Sequence, residues 1–222
     1  MTTHRRGLSS LVVLLVVFLG ATAGPTSAGD LRGRVVIPAG SGPAVVFVRG
    51  LTGQPLPAGD TIITHRVGGT FEPPVAIGFV GNDLVFKNED DQLHTTHLYL
   101  HLAQQERVSG RPLKNGATLY NIALPQPGME VRRPIKAYFE YSDDTGVIDV
   151  RCNPHPGEQA ALLVFDHPYA AVTAADGSFS IAGVPAGTHE VWVWHAGRIA
   201  KWRDVAVKAS GATDVTGAIS LP

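Results

Sequence analysis

Short runs of alternating or β-branched residues, separated by glycine and proline, recur along most of the 222-residue chain. The sequence contains 25 glycines and 16 prolines, and turn signals such as Gly81-Asn82-Asp83 and Asp176-Gly177 stand between the runs. No long stretch of the sequence shows the 3.6-residue periodicity of an amphipathic helix. The chain is therefore predicted to be all-β, with its strands packed as sandwiches.

The predicted strands are four to seven residues long and are rich in valine, isoleucine and aromatic residues. They are Leu31–Ile37, Ala44–Val48, Thr61–Val67, Val75–Phe79, Asp83–Lys87, Pro134–Tyr138, Gly146–Cys152, Ala160–Phe165, Ser178–Ile181, Thr188–Trp194 and Val205–Lys208. The segment Ala103–Gly128 is less regular, so we predict a long loop over one end of a sandwich.

Residues 1–28 have the features of a signal peptide. Arg5 and Arg6 give a positive start, an apolar run from Leu11 to Leu19 follows, and Ala28 ends a small-residue cleavage motif. The apolar run is shorter than the roughly 20 residues that a membrane span needs. The mature chain is therefore predicted to be periplasmic or secreted, without a membrane span. Paired arginines also occur in twin-arginine signals, but they are ordinary in Sec signals, and the Sec route is favoured.

Removal of the signal leaves 194 residues, enough for one large β-domain or two small ones. The formal net charge then falls from −1 to −3, which argues against nucleic acid as a partner. Cys152 is the only cysteine, and a lone thiol in an oxidising compartment is open to intermolecular pairing or oxidation. We therefore expect something to occupy its sulfur.

Two separated motifs carry a family resemblance. The first runs from Phe71-Glu72-Pro73 through Gly81-Asn82-Asp83-Leu84-Val85-Phe86-Lys87-Asn88 to His94, and the second is Cys152-Asn153-Pro154-His155-Pro156. Together they resemble the cupredoxin superfamily of plastocyanin and amicyanin, in which F-x-P and G-D-x-V-x-F-x-N strands and a histidine precede a distant C-x-x-H. Asn82, between Gly81 and Asp83, departs from that pattern. The resemblance covers about residues 60–168 and extends, through His167-Pro168-Tyr169 and Trp194-His195, to periplasmic methylamine-utilisation-type proteins.

The resemblance implies a Greek-key sandwich with one mononuclear copper site. Such a site needs two imidazoles and a thiolate, which His94, His155 and Cys152 would supply, and a weak fourth ligand. A metal-bound thiolate is deprotonated and shielded, which would account for the lone cysteine. The implied function is one-electron transfer without enzymatic turnover, with a redox partner protein or a copper donor or acceptor as partner.

The axial ligand departs from the methionine that similar proteins commonly carry three residues after the histidine. Here that residue is Glu158, and the next one, Gln159, is also within ligand reach. Glu158 would be a hard anionic ligand that favours Cu(II), and the neutral amide of Gln159 would favour Cu(II) less strongly. A site with neither, three-coordinate or holding water, stays open.

Further histidines are weaker candidates. His97 and His101 share one face of a strand and could form an accessory copper site, and His97 could also replace His94 as a ligand. The six-residue offset from Asn88 favours His94. Neighbouring aromatic residues suggest packing or hydrogen-bonding roles for His167 and His195. We expect Asp90 and Asp91 to be solvated in a polar turn before His94.

A second resemblance lies near the C terminus. Thr173-Ala174-Ala175-Asp176-Gly177-Ser178-Phe179-Ser180-Ile181, followed by Val184-Pro185-Ala186-Gly187, resembles the transthyretin-like sandwich of carboxypeptidase regulatory-like domains. We therefore predict a cupredoxin domain at 59–168 and a small β-sandwich at 169–222. Residues 29–58 would complete the small sandwich or pad the edge of the central domain.

Two other functions remain open at this point. The protein could deliver or store copper without redox turnover, which the extra histidines and the missing methionine would suit. It could also be a metal-free binding or scaffold sandwich, although the retention of His94, Cys152 and His155 argues against that alternative.

Overall fold

The computed structural model describes residues 27–52, 54–100, 117–137 and 146–218. The strands of these ranges, in chain order, are β1 Ala28–Val36, β2 Val45–Val48, β3 Thr61–Arg66, β4 Thr70–Glu72, β5 Val75–Phe79, β6 Asp83–Asn88, β7 His94–Leu100, β8 Ala117–Leu124, β9 Glu130–Pro134, β10 Gly146–Arg151, β11 Gln159–Phe165, β12 Ala170–Val172, β13 Ser178–Pro185, β14 Gly187–His195, β15 Arg198–Val207 and β16 Ala212–Ala218. The predicted all-β class is confirmed. Within the described ranges, no helix has the length and apolar character needed to cross a membrane.

Strands β3 to β11 form two facing sheets, which we call the first sandwich. One sheet has the order β5-β11-β10-β7-β8 and the other β4-β3-β6-β9. Alternation along each strand sends one set of side chains inward, so that Phe86 of β6 shares a buried cluster with Leu98 of β7 and Leu162 of β11. Complete burial of each such side chain contributes about 1.5–3 kcal/mol. The core therefore holds the two sheets at a fixed separation.

The remaining strands form a second sandwich from sheets of order β13-β1-β16 and β12-β2-β14-β15. Its core contains Leu31, Val46, Phe179, Val193 and Val215. Strand β1 pairs antiparallel with β13 and parallel with β16, so the beginning and the end of the described chain lie side by side in one sheet. The division of the chain at residues 58 and 168 stays a prediction.

A third buried cluster joins the two sandwiches. Phe47 of β2 and Trp194 of β14 pack against Leu163 and Phe165 of β11, and the rings of Phe47 and Phe165 have centroids 5.3 Å apart. The second sandwich thus covers the outer face of strands at one edge of the five-stranded sheet.

The prediction of a loop at Ala103–Gly128 is wrong for residues 117–124, which form strand β8. Residues 103–116 lie outside the described residues. Strand β8 pairs with β7 over its whole length, and the ladder compensates for a weak local pattern: between residues 118 and 124, only Ile122 and Leu124 are buried. The strand predicted at Pro134–Tyr138 is also misplaced. The observed strand β9 ends at Pro134, and its charged residues form a sheet edge that hydrophobic alternation does not reveal.

The turn at Asp176-Gly177 gives the first testable prediction. Gly177 has φ +82°, its carbonyl accepts a hydrogen bond from the Val35 N–H at 3.0 Å, and a Cβ added to it would collide with the Val35 carbonyl oxygen. At Gly211, with φ +74°, an added Cβ would meet nothing within 4 Å. We expect Gly211→Ala to cost about 1–2 kcal/mol of unfolding free energy from backbone strain alone, and Gly177→Ala to cost more.

Urea denaturation of both variants, followed by circular dichroism, measures this difference. Equal losses in the two variants would contradict a turn docked against β1.

Candidate metal centre

The loop between β10 and β11 carries three of the four predicted ligands. Its ends are tied together, because the Cys152 N–H donates to the Glu158 carbonyl at 3.3 Å and the Glu158 N–H donates to the His155 carbonyl at 2.9 Å. Cys152 and Glu158 therefore leave the base of the loop side by side and are buried, with exposed fractions of 2% and 1%. The His155 side chain lies at the rim of the site and is 29% exposed.

His94 begins β7 and is positioned by the turn that precedes it. The buried Asn88 amide donates to the carbonyls of Gln92 and Leu124, both at 2.9 Å, and its oxygen accepts the Asp90 N–H at 2.8 Å. One side chain thus supports the whole turn. It also connects that turn to β8, where Leu124 is the residue paired with His94.

The four predicted ligands converge on one point. His94 Nδ1 lies 3.2 Å from His155 Nδ1 and 3.0 Å from Glu158 Oε2. Cys152 Sγ lies 3.6 Å from His94 Nδ1 and 3.5 Å from His155 Nδ1. The distance from His155 Nδ1 to Glu158 Oε2 is 3.8 Å.

These separations are close to those of a metal site. A metal about 2.0–2.3 Å from nitrogen and sulfur ligands separates tetrahedrally placed ligand atoms by about 3.3–3.8 Å. The distances of 3.5, 3.6 and 3.8 Å lie in that range, and the two contacts of His94 Nδ1, at 3.0 and 3.2 Å, are slightly shorter. A thiolate with two imidazoles suits copper or zinc better than magnesium or calcium, which prefer oxygen ligands. The side chains present therefore fit a bound transition metal.

His65, which sequence reasoning missed, joins the same cluster from the opposite sheet. It is fully buried on β3, and its Nδ1 lies 2.9 Å from Glu158 Oε1. His65, His94, Cys152 and Glu158 each offer a ligand atom, and these atoms all lie within 4.8 Å of one another. This buried cluster could hold a metal ion.

The local environment controls protonation of the cluster. Burial raises the pKa of the Cys152 thiol, and Glu158 adds to this effect against a hydrogen bond from the Thr95 N–H. Burial also lowers the pKa of His65, although Glu158 opposes that shift, and the lowered pKa favours the neutral imidazole. Metal binding at the thiol must therefore release a proton.

The backbone of β7 contributes a donor to the Cys152 sulfur. The Thr95 N–H points at Sγ from 3.4 Å, and the Thr95 hydroxyl in turn accepts the Asn153 N–H at 2.9 Å. These contacts fix the sulfur relative to β7, where His94 also lies.

Gln159 and His97 lie outside the cluster. Gln159 is exposed and donates to the Pro156 carbonyl at 3.1 Å. His97 uses its two ring nitrogens on Asn153 Oδ1 at 3.0 Å and Thr118 Oγ1 at 3.1 Å, and His101 lies outside the described residues.

His167 and His195 have the packing and hydrogen-bonding environments expected of them. His167 is buried between aromatic neighbours and accepts the Tyr169 N–H at 3.2 Å. His195 is buried 3.0 Å from the Ser41 hydroxyl.

The expectation that Asp90 is solvated is wrong. Asp90 is 2% exposed, and its Oδ2 lies 3.6 Å from His94 Nε2, which has no hydrogen-bond partner among the described residues. A carboxylate behind a ligating imidazole is a common arrangement, because it orients the ring.

The sequence does contain a signal for His65. Ile63 and His65 are two residues apart on a strand and so face the same side, which places a histidine on an apolar face. That signal alone is also typical of a hydrogen-bonded core histidine, and the partner is 93 residues away.

No family model matches the sequence, and no curated protein matches it. Solved structures are similar over about half of the chain. An oxidized amicyanin variant aligns at 14% identity, 54% of this chain, 97% of its own chain and TM-score 0.34. A reduced amicyanin variant aligns at 15% identity, 48% of this chain, 82% of its own chain and TM-score 0.33. A purple cupredoxin from Nitrosopumilus maritimus aligns at 18% identity, 47% of this chain, 97% of its own chain and TM-score 0.28.

The cluster predicts metal-dependent stability. Zn²⁺, which is redox-silent, should stabilise the folded chain by about 2.7 kcal/mol at a free concentration of 100 Kd. For a chain of this size, that energy raises Tm by about 5–10 °C. Differential scanning calorimetry with and without Zn²⁺ should show the rise in the wild type and lose it in Cys152→Ser. An equal rise in Cys152→Ser would place the zinc at other side chains.

Proposed function

We propose that this chain is an exported copper protein that transfers single electrons through one mononuclear site. The ligands would be His94, Cys152 and His155, with Glu158 in place of the usual methionine. The observation that supports this proposal best is the convergence of two Nδ1 atoms, Sγ and Oε2 with contacts of 3.0–3.8 Å. The donor types, two imidazoles and a thiolate with a further oxygen, support copper as the metal.

Fast electron transfer requires that the ligands move little when the metal changes its charge. Here the tied loop fixes Cys152 and Glu158, and the Asn88 network fixes His94. Copper, when bound, would supply the one-electron couple. The protein would supply a ligand set that is already assembled.

The rim histidine offers a route for the electron. His155 is the most exposed of the four proposed ligands, and its Nε2 lies 3.3 Å from Gln92 Oε1. A redox partner protein would dock at this end of the first sandwich. The signal-like residues 1–28 support the periplasm or the extracellular space as its location.

Copper delivery without redox turnover is a second candidate, and Glu158 favours it. A buried carboxylate stabilises Cu(II) over Cu(I) and so opposes cycling between them. A reduction potential below that of physiological donors, together with rapid copper exchange, would favour delivery over electron transfer.

Visible and EPR spectra of the Cu(II)-loaded mature protein test the proposal. We expect an intense thiolate-to-copper absorption band that disappears in Cys152→Ser, because the thiolate is its source. Gln159→Ala is the matched control from the same loop and should keep the band, since Gln159 faces solvent. A wild-type protein that binds Cu(II) without this band would exclude the thiolate site.

Voltammetry of the Glu158 variants tests the axial assignment. Glu158→Met should raise the reduction potential, because a thioether stabilises Cu(I) better than a carboxylate does, and Glu158→Gln should give an intermediate value. The same potential in all three proteins would mean that residue 158 does not bind the metal.

A further inference from the structure

We propose that His65 is a positioning residue that aims a single oxygen of Glu158 at the metal. This inference rests on the copper site proposed above and adds to it a residue from the opposite sheet. Glu158 is completely buried, and its two oxygens have different partners. Oε1 lies 2.9 Å from His65 Nδ1, whereas Oε2 faces the cluster, 3.0 Å from His94 Nδ1.

The hydrogen bonds of His65 determine its tautomer. A carboxylate that binds a metal only accepts hydrogen bonds, so in that state the His65 Nδ1–H group donates a hydrogen bond to Glu158 Oε1. The other nitrogen, Nε2, lies 2.9 Å from the hydroxyl of Thr96, which donates to it. The hydrogen bonds therefore point in one direction: the Thr96 hydroxyl donates to His65, and His65 donates to Glu158.

Both ring nitrogens of His65 have hydrogen-bond partners, so His65 could bind a metal only by giving up its bond to Glu158 or its bond to Thr96. His155, in contrast, turns its Nδ1 toward His94 and Cys152. The histidines of the cluster thus divide into two that face the metal position and one that holds the carboxylate.

Packing fixes the ring of His65 as well. Its centroid lies 4.4 Å from that of Phe71 and 4.5 Å from that of His94. Since Thr96 and His94 lie on β7 and His65 lies on β3, the contact joins the two sheets of the first sandwich at the metal end. The carboxylate cannot rotate without breaking the bond to His65.

The physical consequence is a carboxylate restricted to one metal-facing oxygen. A free glutamate could chelate through both oxygens or turn away from the metal. With Oε1 held by His65, only Oε2 is available. The outer partner of a metal ligand commonly matters for affinity, and its removal costs about 10–100-fold.

Cu(II) titrations and EPR spectra of the full mature chain test this role. We expect His65→Leu to weaken Cu(II) binding about 10–100-fold and to change the copper hyperfine splitting. His65→Asn keeps an N–H close to the position of Nδ1 and should restore the wild-type spectrum. His97→Leu is the matched control, because His97 also bonds through both nitrogens but contacts no metal-facing group.

The double variant separates positioning from direct ligation. If His65 acts through Glu158, adding His65→Leu to Glu158→Ala should change the spectrum no further. If His65→Leu changes the spectrum of the Glu158→Ala protein as much as it changes that of the wild type, the proposal is overturned. A folded His65→Leu protein with the wild-type spectrum and affinity would also overturn it. If His65→Leu does not fold, His65→Asn is compared with His65→Gln, whose amide lies near Nε2, and identical spectra would overturn the proposal.

The wild-type spectrum distinguishes the two proposals. A wild type without a thiolate-to-copper band would defeat the proposed function and this inference with it. A wild type with the band, together with a silent His65→Leu variant, would defeat only the inference.

Discussion

The buried carboxylate of Glu158 is the constraint on which the metal end of the first sandwich depends. An ionised carboxylate is costly to remove from water unless its oxygens are bonded. Here His65 contacts one oxygen of Glu158 and His94 contacts the other, and the two histidines lie on different sheets. The loop between β10 and β11 and the strands β3 and β7 must therefore all be in place for the carboxylate to be buried. The separation of the two sheets sets the distance between the histidines.

The cluster combines donors of different character. Cys152 offers a soft sulfur on one side of the proposed metal position, and Glu158 offers a hard oxygen on another. With copper, the metal proposed, the two histidines between them would suit either oxidation state. Because the sulfur would favour the reduced metal and the carboxylate the oxidised one, the balance between the two states would depend on how closely each side chain approaches.

The cupredoxin resemblance, with its C-x-x-H at Cys152 and His155 and its histidine six residues after Asn88, implied three side chains that the structure brings into contact at 3.2–3.6 Å. That they bind a metal stays a prediction. The choice between Glu158 and Gln159 could not be made from sequence, because adjacent residues face opposite sides only once the start of a strand is known.

Long-range pairing was out of reach of the sequence. His65 meets Glu158 across 93 residues of chain, and no short motif records that contact. Asp90 looked like part of a polar turn, yet the Asn88 network draws it into the core. Strand β8 has few buried residues of its own and depends on the ladder with β7. Each miss reflects tertiary pairing that outweighs local propensity.

The pairing of β1 with β13 and β16 has a consequence for the order in which the strands can pair. Strand β1 comes first among the described strands, but both of its sheet partners lie after residue 177 and so become available later than β3 to β11, whether the chain emerges from a ribosome or from an export channel. In the described part of the chain, strands β3 to β11 pair only with one another, and they can be complete by then. The first sandwich can therefore form while β1 is still waiting, and the last strand made closes the sheet that the first one opened.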